Sequence, residues 1–185
     1  MPDKSKDFTA RTGKFMVFAT WILLLGILTY LFNNYLEKQN NPNTTLNTET
    51  GANGIAEVVL QRNRYGHYVA KGAINGQSVT FLLDTGATIV SIPQTIAGNL
   101  GLRKGAPMTA STANGSITVY ATRLDSISLG SIGFNNIRAH INPHMGSREI
   151  LLGMNFMKNL EMIQRGDQLI LRQYPNTNYQ GMTKK

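Results

Sequence analysis

Phe81-Leu82-Leu83-Asp84-Thr85-Gly86-Ala87-Thr88 runs three apolar residues into a carboxylate held in a glycine-containing turn. An apolar strand that ends in an acid followed by a small-residue hinge places that acid, which makes Asp84 the candidate catalytic residue. Asp and Gly also favour turns for backbone reasons alone, so the flanking sequence has to decide between the two readings. Upstream, Tyr68, Ala70, Gly72 and Ile74 alternate with their neighbours, Asn75-Gly76 is the commonest two-residue hairpin turn, and Val79, Phe81 and Leu83 carry the alternation back. Asp84 therefore ends the second strand of a predicted hairpin.

Downstream the signals stay of the β kind. Ile89 to Pro93 reads as a strand, and Gln94 to Leu102 as a short helix with Ile96, Ala97 and Leu100 inward, weakened by Gly98 and Gly101. Thr109 to Thr112 and Ile117 to Leu124 flank Ala113-Asn114-Gly115, a second hairpin whose small, polar outer residues suit a projecting element. Ile127 to Phe134 and Ile137 to Ile141 read as meandering strands. The apolar run Ile150-Leu151-Leu152-Gly153 leads into a short helix that packs Phe156, Met157 and Leu160. Glu161 to Gln164 and Gln168 to Arg172 form a last hairpin around Arg165-Gly166-Asp167, and the polar stretch 174–185 is expected to be disordered.

The N-terminal third differs in kind. Phe15 to Phe32 holds eighteen residues without a charge, a helix of about 27 Å against a hydrocarbon core of about 30 Å. Bulky residues at Tyr30 to Tyr35 do not suit a signal-peptide cleavage site, so the expectation is an uncleaved transmembrane helix over 15–35. Lys4, Lys6, Arg11 and Lys14 precede it and Lys38 alone follows closely, which places residues 1–14 in the cytoplasm and the rest of the chain across the membrane. The Asn- and Thr-rich segment 36–63 reads as a flexible linker, within which Ile55 to Leu60 suits either a short strand or a turn of helix. The globular domain is expected over 64–173.

Composition narrows the function classes. The chain has 185 residues, no cysteine and a net charge of +8. Disulfide staples, thiolate metal sites and cysteine nucleophiles are excluded. Much of the positive charge lies at the two ends, and no basic stripe interleaved with aromatics marks a nucleic-acid surface.

In the order hairpin, Asp-Thr-Gly-Ala, second hairpin, apolar-apolar-Gly and short helix, the segment from Gly66 to Gln173 resembles the retropepsin-like aspartic proteases, in particular their bacterial membrane-anchored group. Ile74-Asn75-Gly76, the stretch 81–88, Thr112-Ala113-Asn114-Gly115 and Leu151-Leu152-Gly153-Met154-Asn155-Phe156 carry the resemblance. It implies a mostly β, closed barrel of the acid-protease kind with one short helix, preceded here by the transmembrane helix, and a homodimeric endopeptidase without a cofactor. Asp84 would be catalytic, with Thr85, Gly86 and Ala87 completing its loop and Thr85 bonding across the two-fold axis. Leu152 and Gly153 would support that loop from behind. Thr112, Ala113, Asn114 and Gly115 would form the tip of a flap over an extended peptide, and the strand near Leu169 to Arg172 would pair between subunits. The expected setting is the bacterial inner membrane with the domain on the periplasmic side.

Chemistry gives its own reason for a dimer. Hydrolysis by carboxylates alone needs one ionised, to take a proton from water, and one protonated, to polarise the carbonyl. Asp125-Ser126-Ile127 and Asp167-Gln168-Leu169 lack the glycine hinge, so the second acid comes from Asp84 of another copy. The alternative is a non-catalytic peptide-binding or scaffold module on the same fold. A metal site at His140 and His144 with His67 is a weaker rival, because Pro143 interrupts the interval and His140 sits in an alternating strand.

Overall fold

The computed structural model describes residues 4–51, 53–112 and 115–175, with side chains from Gly13 onward. Two units result, one ending at Gln39 and one beginning at Asn40. The first is a single helix, α1 (Lys4–Asn40). From Gly13 it is long and apolar enough to cross a membrane, with a mean hydropathy of 2.2 in its most apolar window and none of that window buried.

In chain order the second unit comprises β1 (Asn47–Thr50), β2 (Ala56–Gln61), β3 (Val69–Ile74), β4 (Gln77–Leu83), β5 (Val90–Pro93), α2 (Gln94–Asn99), β6 (Pro107–Thr112) and β7 (Gly115–Leu129). It continues with β8 (Ile132–Asn142), β9 (Ile150–Leu152), α3 (Met154–Met157), β10 (Glu161–Arg165) and β11 (Gln168–Gln173). The domain thus holds two short helices where the resemblance implied one.

The expected first hairpin forms because Asn75 (φ 49°) and Gly76 (φ 77°) both take the left-handed conformation its turn requires. Ile74 then faces Gln77 and Ala70 faces Phe81. Seven strands run in the order β3-β4-β9-β5-β8-β7-β6, and β7 returns to β3 at Ala73–Ser128 and Ile74–Ile127, closing the barrel. Closure happens over Gly72. A β-carbon there would lie 2.4 Å from the Ser128 carbonyl oxygen and 2.6 Å from the Phe81 ring, so only a bare backbone lets β7 and that ring approach. Phe81, Ile74, Leu124, Ile127, Ile141 and Phe156 are fully buried inside, with Phe134 and Phe156 edge to face at 5.0 Å.

The segment 36–63 is not a linker. α1 continues to Asn40, β1 and β2 form an antiparallel pair, and β2 lies beside β11 in a second sheet of order β1-β2-β11-β10. Val58 and Leu60 are completely buried against the barrel core. Ile55 to Leu60 is therefore resolved as strand. The polar composition misled because two asparagines work inside the fold. The Asn43 side chain, 4% exposed, donates to the carbonyls of Gln61 (2.9 Å) and Val69 (2.8 Å) and accepts from the Gln61 amide (2.7 Å). Asn63 accepts from the amides of Tyr65 and His67 and donates to Asn40. Asn43→Ala is expected to lower the unfolding free energy by about 2–4 kcal/mol, since three backbone groups lose their partner. Denaturant titration checks this, and a change within about 0.5 kcal/mol, as at an ordinary surface site, would return Asn43 to a linker.

A second correction concerns β11. Both its edges are already used within one chain, by β2 over Gln168–Gln173 and by β10 over Gln168–Arg172. It cannot pair between subunits while those ladders stand. Arg172 holds the same three strands together from the side, bonding Glu57 on β2 and Glu161 on β10, and Glu57 raises its pKa through a charged hydrogen bond. Tyr174, expected in a disordered tail, donates its hydroxyl to Glu161 at 2.9 Å. Residues 176–185 lie outside the described residues.

Candidate active site

β4 delivers Asp84. It runs parallel to β9 with Leu82 beside Leu151 and Leu83 beside Leu152, and the Asp84 amide extends that ladder to the Leu152 carbonyl at 3.2 Å. The chain then turns. The Ala87 amide donates to the Asp84 carbonyl at 3.2 Å, and the Gly86 amide donates to Asp84 Oδ1 at 2.9 Å. One carboxylate oxygen thus braces its own turn, the usual use of a short acid in this geometry, while the residue remains half-buried and Thr85 and Gly86 are exposed.

The turn is clamped from behind by the segment that follows β9. The Met154 amide donates to Ala87 at 2.7 Å and the Asn155 amide to Thr88 at 3.0 Å. Gly153 makes the approach possible, because a β-carbon on it would lie 2.7 Å from the Ile89 carbonyl group and 2.8 Å from the Ala87 oxygen. Leu152 and Gly153 therefore sit directly behind residues 84–89.

Asn155 was missed. Its Oδ1 accepts from the Val90 amide at 3.0 Å, and its Nδ2 donates to the Arg138 carbonyl at 2.7 Å. One amide side chain thus ties the end of the 84–89 loop, β5 and β8 to the start of α3. No local signal marked it, because its bonding partners, Val90 and Arg138, are distant in sequence. Asn155→Leu leaves Val90 N and Arg138 O without that partner, and a loss of about 2–4 kcal/mol is expected in denaturant unfolding. An unchanged midpoint would show that the latch is dispensable.

The second hairpin is present. β6 and β7 pair from Pro107–Tyr120 to Thr112–Gly115, the Thr112 hydroxyl donates to the Gly115 carbonyl at 2.8 Å, and Gly115 has a φ of 109°. Ala113 and Asn114 lie outside the described residues. The hairpin's base is fixed by Gly105 N to Ala121 O at 2.7 Å and Ala121 N to Ala106 O at 2.9 Å. Along β6 only Ala110 is partly covered.

The histidines fall elsewhere. His140 lies within β8, opposite Ala121 on one side and Ser91 on the other, and burial lowers its pKa. His144 follows in a turn, its amide bonded to Asn142 Oδ1.

Residues 70–159 match the family model described as "gag-polyprotein putative aspartyl protease". A crystal structure of a retropepsin-like aspartic protease from Rickettsia conorii superposes with a TM-score of 0.56 at 28% identity, covering 70% of this chain and 96% of that one. The domain has the retropepsin-like fold and resembles the aspartic proteases of that kind in sequence. Two curated relatives are uncharacterized. One, encoded in the cobV 5′ region of a Sinorhizobium species, is 35% identical over 127 residues, 66% of this chain and 54% of that protein. The other, from Rickettsia prowazekii, is 27% identical over 124 residues, 65% of this chain and 52% of that protein. The chain spans about half the length of these relatives.

Proposed function

We propose that this chain is a membrane-anchored aspartic endopeptidase whose site is completed by a second copy. The observation that carries the reading is the half-buried Asp84 in a turn braced by its own carboxylate and by residues 152–155, within a domain that resembles the aspartic proteases. Two Asp84 carboxyls brought to about 3 Å of each other cannot both ionise cheaply, so the pair holds a single proton. The ionised member removes a proton from a water molecule, whose oxygen attacks the peptide carbonyl carbon. The protonated member gives its proton to the carbonyl oxygen, forming a neutral tetrahedral diol. Collapse of the diol returns a hydroxyl proton to the dyad, and the amide nitrogen leaves as an amine after protonation by the other acid. Thr85 would brace the pair across the two-fold axis, and Gly86 and Ala87 would lie along the bound peptide. The hairpin tip Thr112, Ala113, Asn114 and Gly115 would close over it and exclude water.

Because β11 has no free edge, contact between copies has to use other surfaces. Among the described strands, the outer edges of β1, β6 and β10 are the ones without a ladder partner. The anchor reading rests on α1. Phe15, Met16, Val17, Phe18, Trp21 and Leu23 are all more than half exposed, on every side of a helix that nothing in its own unit covers. Water would not tolerate such a surface, whereas lipid would. The charge asymmetry around the helix supports an N-terminus in the cytoplasm and the domain on the far face, in a bacterium the periplasmic side of the inner membrane.

Digestion of a peptide library by the full-length protein in neutral detergent, across a range of pH, tests the activity. Cleavage abolished by a transition-state-type aspartic-peptidase inhibitor is expected. A folded sample that binds peptides and cleaves none at any pH would replace the enzyme with the peptide-binding module.

A further inference from the structure

Away from Asp84, an open groove of about 630 Å³ runs between the 101–105 loop and the outer face of β7 and β8. Its lining carries four cations, Arg103, Lys104, Arg123 and Arg138, against one carboxylate, Asp125. Arg123 and Arg138 stand directly opposite one another across the β7–β8 ladder. Like charges in that relation share a face and repel, a placement that costs the sheet stability. Two of these cations are positioned by neutral groups. The Lys104 ammonium bonds Gln94 Oε1 at 2.9 Å and lies 4.9 Å from the centre of the Tyr120 ring, and the Arg123 guanidinium bonds Asn136 Oδ1. Such partners orient a cation without cancelling its charge. The walls are also preformed. A β-carbon on Gly105 would lie 2.8 Å from the Ala121 oxygen, and the two bonds at Ala121 hold the loop against β7.

The geometry points to a binding site for an extended acidic polypeptide segment in this groove. Its volume falls within the range of sites for sizeable ligands and far exceeds that of one small anion. The positive charge is spread over a loop and two strands, which suits a ligand whose carboxylates are likewise spread. An extended chain presents same-side side chains about 6–7 Å apart, and its amides can turn toward Asp125. A compact phosphate near the groove's centre would instead meet that carboxylate. Concave walls of one net sign concentrate the field and hasten encounter with an acidic partner. The site uses neither Asp84 nor the hairpin tip, so it stands whether or not the chain cleaves peptides. If it does, the groove selects substrates that carry an acidic stretch apart from the scissile bond.

Fluorescein-labelled hexaglutamate is the probe, titrated against the full-length protein in neutral detergent and followed by anisotropy. Saturable binding is expected, weakened at least about tenfold by Arg103→Glu and by Arg123→Glu, restored by Arg123→Lys, and reduced in about 0.5 M salt. Arg123→Glu puts an acid opposite Arg138, so its melting temperature should hold or rise while binding falls, which separates the site from folding. Equal binding by the wild type and both charge-reversal variants would overturn the proposal, assigning the effect to the basic chain ends. So would absence of peptide binding, displacement by equimolar inorganic phosphate, or binding of anionic phospholipid vesicles in place of the peptide.

Discussion

Asp84→Asn is expected to abolish peptide hydrolysis, lowering kcat by at least about 10³-fold, the order seen when a residue central to catalysis is removed. The substitution preserves shape. The amide oxygen still accepts from the Gly86 amide, whose bond to Oδ1 measures 2.9 Å in the native turn, and Asp84 N still donates to Leu152. Stability should therefore stay within about 0.5 kcal/mol of the wild type. What disappears is the ionisable group, and with it both roles that the dyad divides. Mixing sharpens the test. If each site needs two Asp84 residues, an equimolar mixture of inactive and active chains at exchange equilibrium loses about half the activity per wild-type chain, because mixed pairs hold one acid. A mixture whose activity is the simple sum of its parts would show that one chain suffices. Full activity in Asp84→Asn would end the aspartic-peptidase assignment.

The second large effect is expected at a residue that never touches substrate. Gly153→Ala should destabilise the domain by about 3 kcal/mol, at the upper end of overpacking costs, and remove activity with it. Backbone strain is not the reason, since Gly153 has φ −84° and ψ 178°, open to any residue. Space is the reason. The added carbon meets main-chain atoms of Ile89 and Ala87 at 2.7–2.8 Å, and main chain cannot swing aside as a side-chain end can. The 84–89 loop must lift, stretching the bonds from Met154 to Ala87 and from Asn155 to Thr88. Gly98→Ala is the control, with nothing within 4 Å of the new carbon and a helical position that favours alanine by up to about 1 kcal/mol. Denaturant unfolding of both variants checks the contrast. A Gly153→Ala protein as stable as the Gly98→Ala protein would mean that the loop has slack.

How much was legible follows from the distance over which each feature is decided. The Asn75-Gly76 turn, the alternation up to Leu83 and the hinge after Asp84 are local, and the structure reproduces each with the register its turn dictates. So is the apolar stretch of α1, whose character is set by composition alone. Residues 36–63 failed for the opposite reason. Asn43 looks like linker until its partners, Gln61 and Val69, are beside it, and polar composition does not distinguish an amide facing water from one that closes two strands. The edges of β11 failed likewise, because whether an edge is free depends on β2, more than a hundred residues earlier in the chain.

The chain's own residues, read in order, determined the β hairpins, the placement of Asp84 at a strand end and the apolar N-terminal helix, because turn chemistry and hydrophobic period act over a few neighbouring positions. Only the tertiary structure decided that Asn155 ties the Asp84 loop to β5 and β8, that β2 seals the edge of β11, and that Arg103, Arg123 and Arg138 line one groove. Those facts depend on tertiary packing, which brings together backbone and charge from segments whose separation along the chain carries no local signal.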